Sequence, residues 1–141
     1  MRFNPMFSIL IAEDDRAVQK LIATILMREG FSVECVSDGQ EALRRCLDET
    51  RTYHAILLDF AMPAMCGDDV IRALSESRRS ELVARIIVVT AATDKEISRL
   101  PKIQIVRKPF DMEELIVVVR RVAGAATRVA DPGLMTRPEV R

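Results

Sequence analysis

The sequence lacks several features that would narrow its function at once. It has no tryptophan, a single histidine and only three cysteines, and its 21 basic residues balance 21 acidic ones. With zero formal net charge, no overall field attracts the chain to nucleic acid, so we expect no direct binding of DNA or RNA. The odd number of cysteines, with no C-x-x-C pair, predicts reduced thiols and implies neither a disulfide framework nor a zinc knuckle. The cysteines are Cys35, Cys46 and Cys66.

Long hydrophobic runs are also missing. No apolar stretch approaches the roughly 20 residues that a membrane-spanning helix needs. The short apolar run at residues 7–12 is followed at once by three acids, and it has no cleavage-type site, so it is not a signal peptide. We therefore expect a cytoplasmic protein that does not engage a membrane. At 141 residues and 49% apolar content, one domain with a core of ordinary size is predicted.

Short apolar runs alternate with amphipathic segments five times along the chain. This alternation predicts a parallel sheet with helices on both faces, and right-handed crossovers allow few strand orders. The flavodoxin-like order 2-1-3-4-5 is the natural one for five units. The predicted fold is therefore an α/β, doubly wound, five-stranded parallel sheet. Its strands are predicted at residues 7–12, 31–36, 55–59, 83–90 and 103–106.

The predicted helices are less regular toward the end of the chain. Thr93 to Glu96 form a capping box that starts a fourth helix, but Pro101 stops it early, so this helix should be short or partly missing. Asp111 caps the last helix, which is expected to end near Gly124. Residues 125–141 hold Gly, Pro, Thr and charges without a period, which predicts a flexible tail after a domain at residues 1–124.

Chemically reactive side chains follow four of the predicted strands, where each strand ends. These residues are Glu13 and Asp14 after the first strand, Asp59 at the end of the third, Thr90 at the fourth and Lys108 after the fifth. Each has a simpler explanation: an acid can start a turn, a threonine can cap a helix, and a lysine can be a solvated loop charge. In the predicted order, however, the first and third strands are neighbours at the switch point where such sheets bind ligands. Because reactive side chains recur at the ends of four strands, we favour the interpretation that they form one common site.

The side chains at these strand ends suit one kind of chemistry. Three clustered carboxylates repel one another unless a cation joins them, and hard oxygen ligands favour Mg²⁺ over zinc. The single histidine, His54, lies at the opposite end of its strand, so we expect it to be structural or exposed. A carboxylate beside Mg²⁺, an ammonium and a hydroxyl can accept a phosphoryl group as an acyl phosphate.

The motifs together resemble a response-regulator receiver domain, the phosphoacceptor module of two-component signalling. They are I-L-I-A-E-D-D at the first strand, L-L-D-F-A-M-P around Asp59, V-V-T-A at Thr90 and K-P-F at Lys108. No single motif is decisive, but the ordered set is specific, and it covers residues 7–124. The resemblance implies that Asp59 is phosphorylated. It also implies that Glu13, Asp14, Asp59 and the backbone carbonyl of Ala61 hold Mg²⁺.

The resemblance implies a switch as well. Thr90 would follow the phosphoryl group, Lys108 would pair with it, and the Lys108–Pro109 bond would be cis. Two departures are visible. Seventeen residues separate Thr90 from Lys108, fewer than receivers usually have, and the position of the usual aromatic switch residue holds Ile105. We therefore expect an altered output face.

The predicted function is that of a stand-alone phosphoacceptor. A histidine kinase or a histidine phosphotransfer protein would supply the phosphoryl group, and phosphorylation would switch a surface for a downstream protein target, with homodimerisation possible. Arg16, Gln19 and Lys20 would face the kinase. No helix-turn-helix pattern follows Gly124, so no direct transcriptional output is expected, and the chain would be no enzyme beyond catalysing its own phosphorylation and dephosphorylation.

Three alternatives remain. A degenerate receiver could act as an unphosphorylated docking scaffold, although its set of acids, threonine and lysine is complete. A Mg²⁺-dependent aspartyl-phosphate phosphohydrolase of the haloacid-dehalogenase kind would need a second acid where Ala61 stands. A nucleotide-binding module would need a glycine-rich phosphate loop, and the sequence has none.

Overall fold

The computed structural model describes residues 7–130 and contains a five-stranded sheet. The strands are β1 (Ser8–Ala12), β2 (Ser32–Val36), β3 (Ala55–Asp59), β4 (Ile86–Thr90) and β5 (Gln104–Arg107). Every neighbouring pair is parallel, and the order is β2-β1-β3-β4-β5. The predicted flavodoxin-like order is therefore confirmed.

Helices connect successive strands. They are α1 (Arg16–Arg28), α2 (Gly39–Leu47), α3 (Gly67–Ser75), α4 (Asp94–Ile97) and α5 (Met112–Ala130), with a 3₁₀ helix at Ser80–Arg85. Side-chain caps set where several of them begin: Asp15 accepts hydrogen bonds from two amides of α1 and Asp38 from one of α2. The short fourth helix is confirmed, since α4 has four residues, capped by Thr93.

The sheet separates two apolar cores because successive side chains of a strand point to opposite faces. Leu57 packs with residues of α1 and α5 on one face. Ile56 and Leu58 pack with residues of α2 and α3 on the other. β3 and β4 are buried at every position, which is why their sequences are continuous apolar runs rather than alternating ones. A rigid, doubly covered centre therefore carries the ends of β3 and β4.

Three sequence-based expectations about elements are wrong. β4 begins at Ile86 rather than at residue 83, because residues 80–85 close a 3₁₀ helix instead. The helical spacing of apolar residues predicts that Leu21 lies on the buried stripe of α1 with Val18, Ile22 and Leu26, but its side chain is 52% exposed. The flexible tail does not begin at residue 125, since α5 continues to Ala130 and buries Ala126. The remainder of that predicted tail, residues 131–141, lies outside the described residues.

None of the helices within residues 7–130 combines the length and the apolar character that crossing a membrane requires.

Candidate functional site

The predicted acids meet at the carboxyl edge of the sheet. Asp59 is the last residue of β3, and Glu13 follows β1, its pairing neighbour. Ligand oxygens of Glu13, Asp14 and Asp59 all lie within 4.8 Å of one another. Asp59 is 7% exposed and Glu13 3%, whereas Asp14 is exposed. The site therefore has two buried carboxylates at its base and one at its mouth.

Lys108 brings a positive charge to this group. Its Nζ lies 2.9 Å from Glu13 Oε1 and 3.4 Å from Asp59 Oδ2. Its backbone amide donates to the carbonyl of Thr90 at 2.8 Å, and the Lys108–Pro109 peptide bond is cis. The β5 end thus fixes the lysine by its backbone while its side chain reaches the acids.

The charges in the site are out of balance. Burial raises the pKa of Glu13, and its hydrogen bond with Lys108 opposes this only in part. Burial also disfavours the charged form of Lys108, but its contacts with Glu13 and Asp59 outweigh that and leave its pKa raised. One ammonium is thus shared by two buried carboxylates. A divalent cation would supply the positive charge that the site lacks, and all three acids offer the hard oxygen ligands that such a cation prefers.

Thr90 ends β4 beside the acids and is buried. Since Asp59 pairs with Val89 in the parallel ladder, Thr90 lies one position beyond Asp59 on the adjacent strand. Its Oγ1 accepts a hydrogen bond from the amide of Ala92 at 2.9 Å. With its oxygen held as an acceptor, the hydroxyl hydrogen is available for donation.

The loop after β3 passes close to the site. The amide of Ala61 donates to Asp59 Oδ1 at 3.3 Å, and its carbonyl as a metal ligand stays a prediction. Gly67 donates to the carbonyl of Phe60 at 2.7 Å and leaves no room for a side chain, since a Cβ would lie 2.9 Å from Phe60 Cα. A Cβ on Gly39 would lie 1.9 Å from the carbonyl oxygen of Met65. Two glycines therefore let the loop pack tightly.

Gln19 has a role that sequence reasoning missed. Its Nε2 donates to the carbonyls of Glu13 at 2.9 Å and of Val36 at 3.0 Å. It therefore ties the ends of β1 and β2 together instead of facing outward with Arg16 and Lys20, which are exposed. No sequence signal marks this contact, because a glutamine on a helix is ordinarily a surface residue.

Three other residues singled out by the sequence lie outside this cluster. His54 Nδ1 accepts from the amide of Ser8 at 3.0 Å, which fits the structural role expected of it. Ile105 is partly buried against the core that contains α2 and α3. Cys66 contacts Asp68 and Asp69, and its hydrogen bond with Asp68, together with burial, raises the pKa of the thiol to about 11. That thiol is therefore protonated at neutral pH and is not an activated nucleophile.

Comparison with known proteins gives a consistent result. Residues 9–120 match the family model of the response regulator receiver domain. The sensory transduction protein RegX3 of Mycolicibacterium smegmatis is 34% identical over 96% of this chain and 60% of its own length. The transcriptional regulatory protein CutR of Streptomyces coelicolor is 32% identical over 94% of this chain and 60% of its own. The chain thus spans about 60% of the length of these relatives.

Solved structures agree. The receiver domain of the Pseudomonas aeruginosa sensor histidine kinase PA1611, which has a magnesium ion coordinated in its active-site cleft, is 29% identical. It superposes with a TM-score of 0.74 over 84% of this chain and 98% of its own. The Thermotoga maritima response regulator TrrA, in complex with Mg²⁺ and BeF, is 25% identical with a TM-score of 0.70, covering 83% of this chain and 99% of its own. This chain belongs to the response regulator receiver domain family, whose members are the phosphoacceptors of two-component signalling.

Proposed function

We propose that Asp59 is the phosphoryl acceptor of this receiver and that Glu13, Asp14 and Asp59 hold Mg²⁺ with the carbonyl of Ala61. One observation carries the proposal: two buried carboxylates share a single ammonium at the edge of the sheet. A structural ion cluster would be expected to balance its charges internally, whereas this one retains a net negative charge for a cation to neutralise.

In the proposed reaction, a carboxylate oxygen of Asp59 attacks the phosphorus of a phosphohistidine. The phosphorus–nitrogen bond breaks, its electron pair returns to the imidazole, and that nitrogen takes up a proton. The product is an aspartyl phosphate, which water later hydrolyses back to carboxylate and phosphate. Mg²⁺, when bound, supplies neutralisation of the charge on the phosphoryl oxygens.

Lys108 and Thr90 act on the product. The ammonium of Lys108, already near Asp59 Oδ2, gains a phosphoryl oxygen of higher negative charge as its partner. The hydroxyl of Thr90 donates its free hydrogen to a second phosphoryl oxygen. Adding a doubly charged group beside these two side chains biases the ends of β4 and β5 toward a new arrangement.

The partners follow from this role. We propose that a histidine kinase or a histidine phosphotransfer protein donates the phosphoryl group in the cytoplasm, and that Arg16 and Lys20 of α1 face this donor. A downstream protein target would read the altered surface, with a homodimer possible. The chain would act as a signalling phosphoacceptor rather than as an enzyme on other substrates. Ala61 carries no acid, so the phosphohydrolase alternative finds no support in the site.

Intact mass after incubation with acetyl phosphate and Mg²⁺ tests the acceptor. We expect wild type and Glu114→Gln, a control at an exposed acid of α5, to gain one phosphoryl group. We expect Asp59→Asn to gain none, and omission of Mg²⁺ to slow or abolish the gain. Wild type that neither gains mass nor binds beryllofluoride would favour the docking scaffold instead. A gain that persists in Asp59→Asn would place the acceptor elsewhere.

A further inference from the structure

Arg107, the last residue of β5, links the end of the sheet to α4. Its Nη1 donates to the carbonyl of Ala92 at 2.9 Å, and its Nη2 pairs with Asp94 Oδ1. Asp94 is the first residue of α4, and Ala92 belongs to the loop that leads there from β4. One planar guanidinium therefore holds both the loop and the start of the helix, a task that suits the fixed fork of an arginine.

The same loop reaches into the phosphoacceptor site. The amide of Ala92 donates to Thr90 Oγ1 at 2.9 Å, so Ala92 is held at its N–H by Thr90 and at its C=O by Arg107. No hydrogen bond formed by residues 7–130 has the Thr90 hydroxyl as its donor. The direction of that hydroxyl therefore depends on where Ala92 lies, and the position of Ala92 depends on Arg107.

Arg107 is also the immediate neighbour of Lys108. Lys108 contacts Asp59 and Glu13 with its ammonium and Thr90 with its amide. Two consecutive residues thus reach opposite regions, one into the buried acids and the other, whose side chain is 47% exposed, onto the surface. Ile105, two residues earlier on the same face of β5, has no polar group with which to make such a link.

We propose that Arg107 is a positioning residue that orients Thr90 through Ala92 and transmits the structural effect of Asp59 phosphorylation to α4. The inference rests on the proposed function, because it names how that site is read at the surface. When Thr90 donates to a phosphoryl oxygen, its own oxygen moves, Ala92 follows, and the guanidinium transfers the displacement to Asp94. The downstream protein target would then recognise α4 and the loop before it.

Amide chemical shifts with and without beryllofluoride and Mg²⁺ test the coupling, on the full chain. In wild type we expect shifts at Asp59 and Lys108, which report the site, and at Ala92 and residues 94–97, which report the surface. In Arg107→Ala the site shifts should remain while those of residues 94–97 disappear. Arg107→Lys should be intermediate, because an ammonium can serve one of the two acceptors well but lacks the fork.

A matched control separates coupling from a general loss of arginine. Arg121 of α5 donates to the side chain of Gln104 at 2.9 Å, at the other end of β5. Arg121→Ala should leave every shift as in wild type. The rate of phosphoryl gain from acetyl phosphate should fall about threefold in Arg107→Ala, the effect expected for an exposed charged contact, and stay unchanged in Arg121→Ala.

These outcomes separate a failure of the proposed function from a failure of the coupling between Arg107 and α4. If beryllofluoride shifts no residue of wild type and acetyl phosphate adds no mass, the proposed function fails and the coupling fails with it. If the site responds but residues 94–97 stay unchanged in wild type, the coupling alone is wrong. The coupling is equally wrong if Arg107→Ala shifts residues 94–97 as strongly as wild type does.

Discussion

Two clusters of charged side chains on this chain differ in how their charges are balanced. At the site, Glu13 and Asp59 share the single ammonium of Lys108. On β2, the carboxylate of Glu34 accepts hydrogen bonds from Arg45 at 2.9 Å, Arg51 at 2.8 Å and Tyr53 at 2.6 Å. Arg45 also pairs with Glu41 and Arg51 with Asp48, each at 3.1 Å. The first cluster therefore has too few positive groups, whereas each arginine of the second cluster is matched by an acid.

The difference shows what marks a functional site here. Burial raises the pKa of Tyr53 to about 12, and the nearby Glu34 adds to this, so the tyrosine remains a donor and the cluster is satisfied without an outside ligand. At the site, the described residues offer Glu13 and Asp59 only the shared ammonium of Lys108 to balance their charges. Charge imbalance in a buried position, rather than the number of charged groups, indicates a site that binds something from outside.

The largest expected effect comes from removing the lone cation of the site. Lys108→Ala should slow phosphoryl gain from acetyl phosphate about 100-fold, the usual effect of losing one preorganised charge at a reacting centre. Lys102→Ala, at an exposed lysine, serves as the control. Intact mass against time measures both. Equal rates in the two variants would mean that the imbalance has no part in the reaction.

Removing Glu34, the acid that its two arginines and Tyr53 share, should affect stability instead. Glu34→Ala leaves the phenol of Tyr53 without its acceptor. The two guanidinium groups lose one of their acids, but each keeps a second one, Glu41 or Asp48. Because the Glu34 side chain is 38% exposed, we expect a loss of about 1–2 kcal/mol in the free energy of unfolding. Urea denaturation measures this loss, and phosphoryl gain should stay at the wild-type rate. A slower gain would show that the two clusters are coupled.

A smaller loss of stability is expected when one hydrogen bond of the Glu34 cluster is removed. Tyr53→Phe keeps the buried ring and removes one hydrogen bond to Glu34, so the free energy of unfolding should fall by about 1 kcal/mol. The double variant Tyr53→Phe with Glu34→Ala should lose little more than Glu34→Ala alone, because both remove the same contact. Fully additive losses in urea denaturation would argue against a direct interaction.

The smallest expected effect concerns His54, the only histidine, which belongs to neither cluster. Burial, helped by the charge of Arg85, holds its pKa below the ordinary 6.5. The unfolded chain therefore binds the proton more readily, and the free energy of unfolding should fall as the pH drops below 6.5 toward the folded pKa. His54→Gln should show a flatter dependence between pH 7 and about pH 5.5, above the range where carboxylates titrate. Identical curves would contradict this account.

The site could be predicted from the sequence because parallel strands end at one edge. Once β1 and β3 are neighbours, Glu13 and Asp59 must converge, whatever the details of the loops. The Glu34 cluster was not predictable in the same way. Its arginines and tyrosine lie 11 to 19 residues away along the chain, on a helix and in the stretch before β3, and no periodicity brings them together.

The predicted end of the last helix and the predicted buried stripe of α1 were wrong where tertiary packing outweighed the local sequence signals. Gly124 looked like the end of the last helix, yet Ala123 and Ala126 are buried, and the helix continues because small residues let it approach its neighbours. Leu21 looked like core because it follows the helical period of Val18, but it falls at the margin of the stripe that Ile22 and Leu26 bury. Propensity sets such limits only weakly when tertiary contacts compete.

The two glycines that admit the loop after β3 bear on how a mutational scan of this chain would look. Any side chain at Gly39 or Gly67 collides with backbone, so almost every substitution there should score as inactive, beside Asp59 itself. A map of intolerance would therefore mark positions that never touch a phosphoryl group. Reading the scan at two temperatures would separate the classes: at the lower one some glycine variants should regain activity, and variants of Asp59 should not.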